Sequence, residues 1–200
     1  MDQAENLRNI IKKQNQRDVG NARVIAVTSG KGGVGKSSVS INLAVQFARM
    51  GKKVIILDAD FGLANIEVMF GVIPKYNLSD LMLNGMDIKE IITDGPEGVK
   101  FISGGSGIAK LVNLDKEQVK RLVNKLSELE SMADVIIIDT GAGISASVME
   151  FLVASPETIL VTTPEPTSIT DSYALMKALS MNESFRKNET SIKMIANRVT

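Results

Sequence analysis

Residues 30–37, Gly30-Lys31-Gly32-Gly33-Val34-Gly35-Lys36-Ser37, restrict what this chain can fold into more than any other stretch. They fit the pattern G-x-x-x-x-G-K-[ST], in which backbone N–H groups cradle a phosphate chain. The flanks suit that reading. Arg23-Val24-Ile25-Ala26-Val27-Thr28 is a β-type apolar run, and Val39, Ile41, Leu43, Ala44, Val45, Phe47 and Ala48 follow with helical spacing. A strand, a glycine turn and a helix aim several N–H groups and a helix N-terminus at one anion. The expected nucleotide contacts are Gly30, Lys31, Gly32, Gly33, Val34, Gly35, Lys36, Ser37 and Ser38. Lys36 is expected on the β- and γ-phosphates and the Ser37 hydroxyl on Mg²⁺. The competing reading is a glycine-rich loop that merely joins strand to helix; the Lys-Ser pair at the required offset speaks against it.

Two further apolar runs end in acids: Val54-Ile55-Ile56-Leu57 before Asp58-Ala59-Asp60, and Val135-Ile136-Ile137-Ile138 before Asp139. Runs that are apolar throughout, rather than alternating, belong to parallel strands covered on both faces. The fold class expected is therefore α/β: a three-layer α/β/α P-loop NTPase with a mostly parallel central sheet. Acids at the carboxyl ends of such strands lie at the crevice where ligands bind. The i, i+2 spacing directs Asp58 and Asp60 to one side while the chain stays extended. With Ser37 they form the candidate metal set Ser37, Asp58, Asp60 and Asp139; alternatively, Asp58 and Asp60 cap the turn that follows.

The remaining elements are read more coarsely. Asn77 to Met86 predicts a short helix opened by Asn77 or Ser79 and closed by Gly85. Val99 to Ser103 predicts a strand, followed by the connecting loop Gly104-Gly105-Ser106-Gly107. Residues 115–132 carry Val119, Leu122, Val123, Leu126 and Leu129 at helical spacing. Thr140-Gly141-Ala142-Gly143 is expected to be a mobile switch responsive to a γ-phosphate. Glu157 to Thr162 predicts a strand, Thr167 or Ser168 the cap of the next helix, and Ile192 to Val199 a last strand. Residues 2–17 predict a helical arm with Ala4, Leu7, Ile10 and Ile11 on one face. Two hundred residues suit one domain, 19–200, preceded by an arm, 1–18.

Formal charge is zero and cysteine is absent. The first gives no whole-chain support for nucleic-acid binding. The second excludes disulfides and thiolate metal sites and fits a reducing cytosol. No signal peptide or apolar run of about 18 residues is visible.

Lys31 goes beyond what a generic P-loop requires. Lys31-Gly32-Gly33-Val34-Gly35-Lys36-Ser37 resembles the deviant Walker A motif of the MinD/ParA ATPases. The resemblance implies ATP and Mg²⁺ as cofactors, and an ATP-dependent homodimer in which Lys31 reaches the other subunit's phosphates. It implies Lys31, Lys36 and Asp60 as catalytic residues, with Asp60 positioning the hydrolytic water and Asp58 supporting the metal site. Asp139 matches the Walker B acid, and Asn197 the family's adenine contact. Glu165 and Asp171 resemble positions at the dimer face. Family members often have proline near the switch that follows Asp139; Gly141-Ala142 stands there instead.

The start Asp2-Gln3-Ala4-Glu5-Asn6-Leu7-Arg8 is similar to that of FlhG-type members, which concern flagellar number and placement. There it implies contact through Gln3, Leu7 and Arg8 with the signal-recognition-type GTPase FlhF, with flagellar switch or C-ring proteins as further expected partners. The family commonly ends in a membrane-binding amphipathic helix. Nothing after Thr200 serves that purpose, so a shortened chain is expected. The expected location is cytoplasmic, or peripheral at the inner membrane face when that helix is present. Two other functions remain open: a small-molecule-phosphorylating or ligating enzyme of this fold, and a ParA- or MinD-type positioning ATPase for another cargo. A DNA-binding version would need more than the thin basic set Arg186, Lys187, Lys193 and Arg198.

Overall fold

The computed structural model describes residues 22–61, 65–105, 116–186 and 189–199. Seven strands form one sheet: β1 (Arg23–Ser29), β2 (Val54–Ala59), β3 (Thr93–Asp94), β4 (Lys100–Ile102), β5 (Val135–Ala142), β6 (Glu157–Thr162) and β7 (Ser191–Ala196). Their order across the sheet is β3-β4-β2-β5-β1-β6-β7. All pairings are parallel except β3 with β4. The helices are α1 (Lys36–Arg49), α2 (Asn65–Phe70), α3 (Leu78–Leu83), α4 (Lys116–Leu126), α5 (Ala146–Ala154) and α6 (Pro166–Ser180). The predicted arm, and with it Gln3, Leu7 and Arg8, lies outside the described residues.

The unbroken apolar strands are explained by where their side chains go. In β2, Ile55, Leu57 and Ala59 join one core cluster while Val54 and Ile56 join another. In β5, Ile136 and Ile138 face the first cluster, and Val135 and Ile137 the second. Alternate residues of one strand thus meet helices on opposite faces of the sheet. The first cluster includes Val119, Leu122 and Leu126 of α4 and Leu78 and Leu81 of α3; the second includes Ala44 of α1. A third joins Ala26 and Leu160 to α5 and α6 through Val148, Leu152, Leu175 and Leu179.

Several boundaries differ from those predicted. Strand β7 ends at Ala196: the Asn197 backbone N–H makes the last ladder bond, to Thr162 O, and Arg198 then turns to φ 55°. The pair β3 is too short to leave a periodic signal. Helix α4 stops at Leu126 and continues as a 3₁₀ turn, Ser127–Ser131. Helix α6 begins at Pro166, not with a cap at Thr167 or Ser168. Ser168 is buried, and its Oγ accepts from the Thr163 N–H. Proline suits the first helical position, where its missing N–H costs nothing. Helix α3 has the expected Asn77 cap, with Asp80 completing a capping box, and Gly85 beyond its end at φ 69°.

Strand β5 returns between β1 and β2, which brings three strand ends together. Asp139 is level with Val27 of β1 on one side and Asp58 of β2 on the other. The strand continues through Thr140, Gly141 and Ala142, so the first part of the expected switch is extended here. Its end is tied to the P-loop strand: the Gly143 N–H donates to Ser29 O.

Candidate functional site

A cavity of about 450 Å³ opens at the carboxyl edge of the sheet. The P-loop supplies half of its lining residues, Gly32, Gly33, Gly35, Lys36, Ser37 and Ser38; Ser29, Asp60, Asn65, Met69, Ala142 and Arg198 complete it. Gly33 and Gly35 take φ of 78° and 94°, the left-handed region that side chains resist. Gly35 stands at the N-cap of α1, with no side-chain cap and no acid in the first turn. The first N–H groups of a helix without such a cap are available to an anion.

Gly30 is needed for another reason. A β-carbon there would lie 2.2 Å from the Asp171 carbonyl carbon and 2.4 Å from the Ser172 nitrogen, so the loop rests directly on the α6 backbone. Val34 is buried, and its carbonyl accepts from Asn197 Nδ2 at 2.8 Å. In this structure the Asn197 amide therefore braces the P-loop backbone, a contact that the adenine expectation did not include.

Lys36 and Asp139 form a buried pair, with Nζ 3.1 Å from Oδ1. Ser40, one turn along α1, donates to the same oxygen at 2.9 Å. Asp139 Oδ2 is buried with no hydrogen-bond partner. Sequence reading missed Ser40. The signal available was its i+4 spacing from Lys36, which puts both on one helix face.

The two acids after β2 part company. The chain turns at Asp60: its backbone N–H donates to Asp58 Oδ1, while Asp58 Oδ2 accepts from the Ile66 N–H at the start of α2. Asp58 is wholly buried and ties down this turn, whereas Asp60 lines the cavity, with Asn65 Nδ2 3.5 Å from its Oδ2. The two acids expected to share the metal thus take different places, Asp60 on the cavity wall and Asp58 under the turn that carries it. Burial pushes the Asp58 carboxyl up to about 7, with the Asp139 charge adding to the effect and its two backbone N–H bonds opposing it.

Among the described residues no three acids gather into a metal cage. Mg²⁺ is ordinarily held by one or two carboxylates together with phosphate oxygens and water. The Ser37 hydroxyl at the cradle, Asp60 on the wall and the unpartnered Asp139 oxygen suit that mode; Asp58, with both oxygens engaged, lies behind it.

Lys31 is not among the cavity residues. Its ammonium is 3.1 Å from Glu165 Oε2 and 3.0 Å from Thr167 Oγ1, at the start of α6. Of the basic set weighed for nucleic acid, Arg186 pairs with Glu189 and Lys193 with Glu157, while Arg198 lines the cavity. Lys187 lies outside the described residues. A smaller apolar cavity of about 140 Å³, lined by Val24, Leu57, Ile138 and Phe151 among others, lies within the core between α4 and α5.

Comparison with known proteins agrees with this geometry. The family model described as an AAA domain, AAA_31, matches residues 22–193. The chain is 42% identical to the antiactivator FleN of Pseudomonas aeruginosa over 88% of its own length and 61% of that protein. It is 41% identical to the flagellum site-determining protein YlxH of Helicobacter pylori, over 98% of its length and 66% of that protein. The chain thus spans about two thirds of the length of these relatives. The cell division ATPase MinD of Pyrococcus furiosus superposes with a TM-score of 0.75 at 28% identity, over 88% of this chain and 72% of that one. MinD of Pyrococcus horikoshii, solved with Mg-ADP, superposes equally well at 29% identity, over 88% and 70%. By its fold, its P-loop and these relatives, the chain belongs to the MinD/ParA family of P-loop ATPases, together with the flagellar, FlhG-type members.

Proposed function

We propose that the chain is an ATP-driven switch that dimerises around ATP and Mg²⁺ and, through hydrolysis to ADP and phosphate, controls flagellar number or placement. The observation that carries this reading is the position of Lys31. It stands in the P-loop yet turns away from its own cavity, toward Glu165 and Thr167 at the surface. An ammonium held there is suited to a phosphate presented by a second copy, which is the role that the family resemblance assigns to it. A two-fold contact of this kind uses each interface residue twice.

Within one copy, the glycine N–H groups and Lys36 bind the phosphates. Lys36 must leave Asp139 to do so. Ser37 and Asp139 would hold the metal, with Asp60 beside it on the cavity wall. Mg²⁺, when bound, neutralises charge that develops on the phosphate oxygens. Asp60 orients the attacking water, and Lys31 of the partner adds positive charge at the phosphate chain, where negative charge builds up on the ADP leaving group. Asp58 keeps the turn that carries Asp60 in place. Asn197 positions the P-loop from behind, and the family resemblance adds a contact with the base. Only the dimer has both lysines at each phosphate chain, so the dimer binds ATP more tightly and ATP drives assembly.

The relative YlxH supports the flagellar setting through its name as a flagellum site-determining protein, and FleN, named an antiactivator, supports a regulatory role. In this proposal residues 2–8, with Gln3, Leu7 and Arg8, contact and stimulate FlhF, and flagellar switch or C-ring proteins are further partners. The protein works in the cytoplasm, or at the inner membrane face where a C-terminal helix anchors it. Among the described residues, no helix is long and apolar enough to cross a membrane.

The test is ATP turnover per protomer as a function of protein concentration. The proposal expects a steep rise for the wild type and a low, flat dependence for Lys31→Ala. Concentration-independent turnover that Lys31→Ala leaves unchanged would remove the trans-acting lysine. For the arm, deletion of residues 1–18 is expected to abolish stimulation of FlhF GTPase activity; unchanged stimulation removes that partner.

A further inference from the structure

Asp139 is fully buried, and only two donors reach it among the described residues: Lys36 Nζ and Ser40 Oγ, both on Oδ1. This has a consequence for the ATP-bound state. If the cavity is an ATP and Mg²⁺ site, Lys36 is drawn to the phosphates and Asp139 loses one of its two tethers. Ser40 then becomes the one protein donor still on the carboxylate. We propose that Ser40 is the positioning residue of the metal-binding acid: it fixes the Asp139 carboxylate by Oδ1, so that Oδ2 would stay available to the metal site.

The geometry favours this use of the hydroxyl over the competing one. Ser40 Oγ is 3.2 Å from Lys36 O, one helical turn back, and 2.9 Å from Asp139 Oδ1. A hydroxyl has one proton to give. The bond to its own helix is the longer and involves a neutral acceptor; the bond to the carboxylate is charge-assisted and roughly twice as strong. The proton therefore belongs to Asp139. Ser40 is fully buried, so no water replaces it. The second oxygen, Oδ2, is buried without a partner, as expected of an acceptor reserved for a ligand. Groups that orient a metal-binding side chain in this way change metal affinity by 10–100-fold when removed.

The experiment measures binding of a non-hydrolysable ATP analogue to the full chain by calorimetry, first in EDTA and then across a Mg²⁺ titration. Four proteins are compared: wild type, Ser40→Ala, Ser40→Thr and Ser40→Val. Ser40→Thr keeps the hydroxyl, and Ser40→Val has nearly the same shape without it. The Mg²⁺ concentration giving half of the affinity gain is expected to rise about tenfold or more in Ser40→Ala and Ser40→Val. It should stay within about twofold of wild type in Ser40→Thr, and metal-free affinity should be similar in all four. A mere structural serine would lower the melting temperature of both hydroxyl-free variants without moving the Mg²⁺ midpoint; that outcome overturns the proposal. The same holds if Ser40→Thr behaves like Ser40→Val. Absence of any Mg²⁺-dependent gain in the wild type would instead overturn the reading of the cavity on which the proposal rests.

Discussion

The Lys36 ammonium and the Asp139 carboxylate lie 3.1 Å apart, both buried beneath the P-loop. A buried pair of this kind is costly to break from one side, because the remaining charge keeps its desolvation without its partner; losses of about 3–5 kcal/mol are usual. Lys36→Ala is therefore expected to destabilise the nucleotide-free protein by about 3 kcal/mol in urea unfolding, besides abolishing ATP binding. Adding Asp139→Asn should recover most of the stability and none of the binding. Equal stability of Lys36→Ala and wild type would mean that the pair does not form in solution.

Gly30 tests the seat of the P-loop on α6. A methyl group there would overlap backbone atoms of Asp171 and Ser172, which cannot rotate aside as a side chain can. Gly30→Ala is expected to cost about 1–3 kcal/mol as the loop and helix separate, and to weaken nucleotide binding along with it. Gly32→Ala meets open space and should leave stability within about 0.5 kcal/mol of wild type. Indistinguishable unfolding curves for the two variants would contradict the close packing.

Asp58 makes stability depend on pH. Its folded value, about 7, is raised from 3.8, chiefly by burial. Between those values the folded state holds a proton that the unfolded state has released. Stability from this group is therefore complete below about pH 4 and is lost as pH rises through about 7, by up to a few kcal/mol. Asp58→Asn should flatten this part of the profile of the nucleotide-free protein. A wild-type profile that rises from pH 4 to 8, with the same shape in Asp58→Asn, would contradict the assignment.

Asn197 separates two roles for one amide. Its bond to Val34 O braces the P-loop, and loss of such a bond costs about 1 kcal/mol. Asn197→Ala is expected to weaken ATP and GTP alike through the loosened loop, and to reduce the preference for ATP if the amide also reads the base. Titrations with both nucleotides distinguish the two. Unaltered affinity for both would mean that Asn197 serves neither.

The parts of the fold that were legible share one property: a local pattern with a physical cause. Strands β1, β2 and β5 read as buried because their residues are apolar on both faces, and α4 because Val119, Leu122 and Leu126 recur at helical spacing. The P-loop was legible because glycine is required at Gly33 and Gly35 by backbone conformation, and at Gly30 by the approach of α6. What escaped depends on contacts distant in sequence. The i+4 spacing puts Ser40 beside Lys36, but nothing local shows that Asp139, 99 residues away, will accept its hydroxyl. The separation of Asp58 from Asp60 follows from a turn whose N–H donors include Ile66, eight residues away from Asp58. Likewise, Ser168 resembled a helix cap, but its hydroxyl is used inside α6 to hold the end of β6.

The account rests on a second copy completing the phosphate site, and solution mass measures this directly. Light scattering of the wild type should give a monomer with ADP and a dimer with Mg²⁺ and a non-hydrolysable ATP analogue. Lys31→Ala should bind the analogue yet remain a monomer. A wild type that stays monomeric with the analogue bound, or a Lys31→Ala protein that dimerises as readily as wild type, would contradict the account.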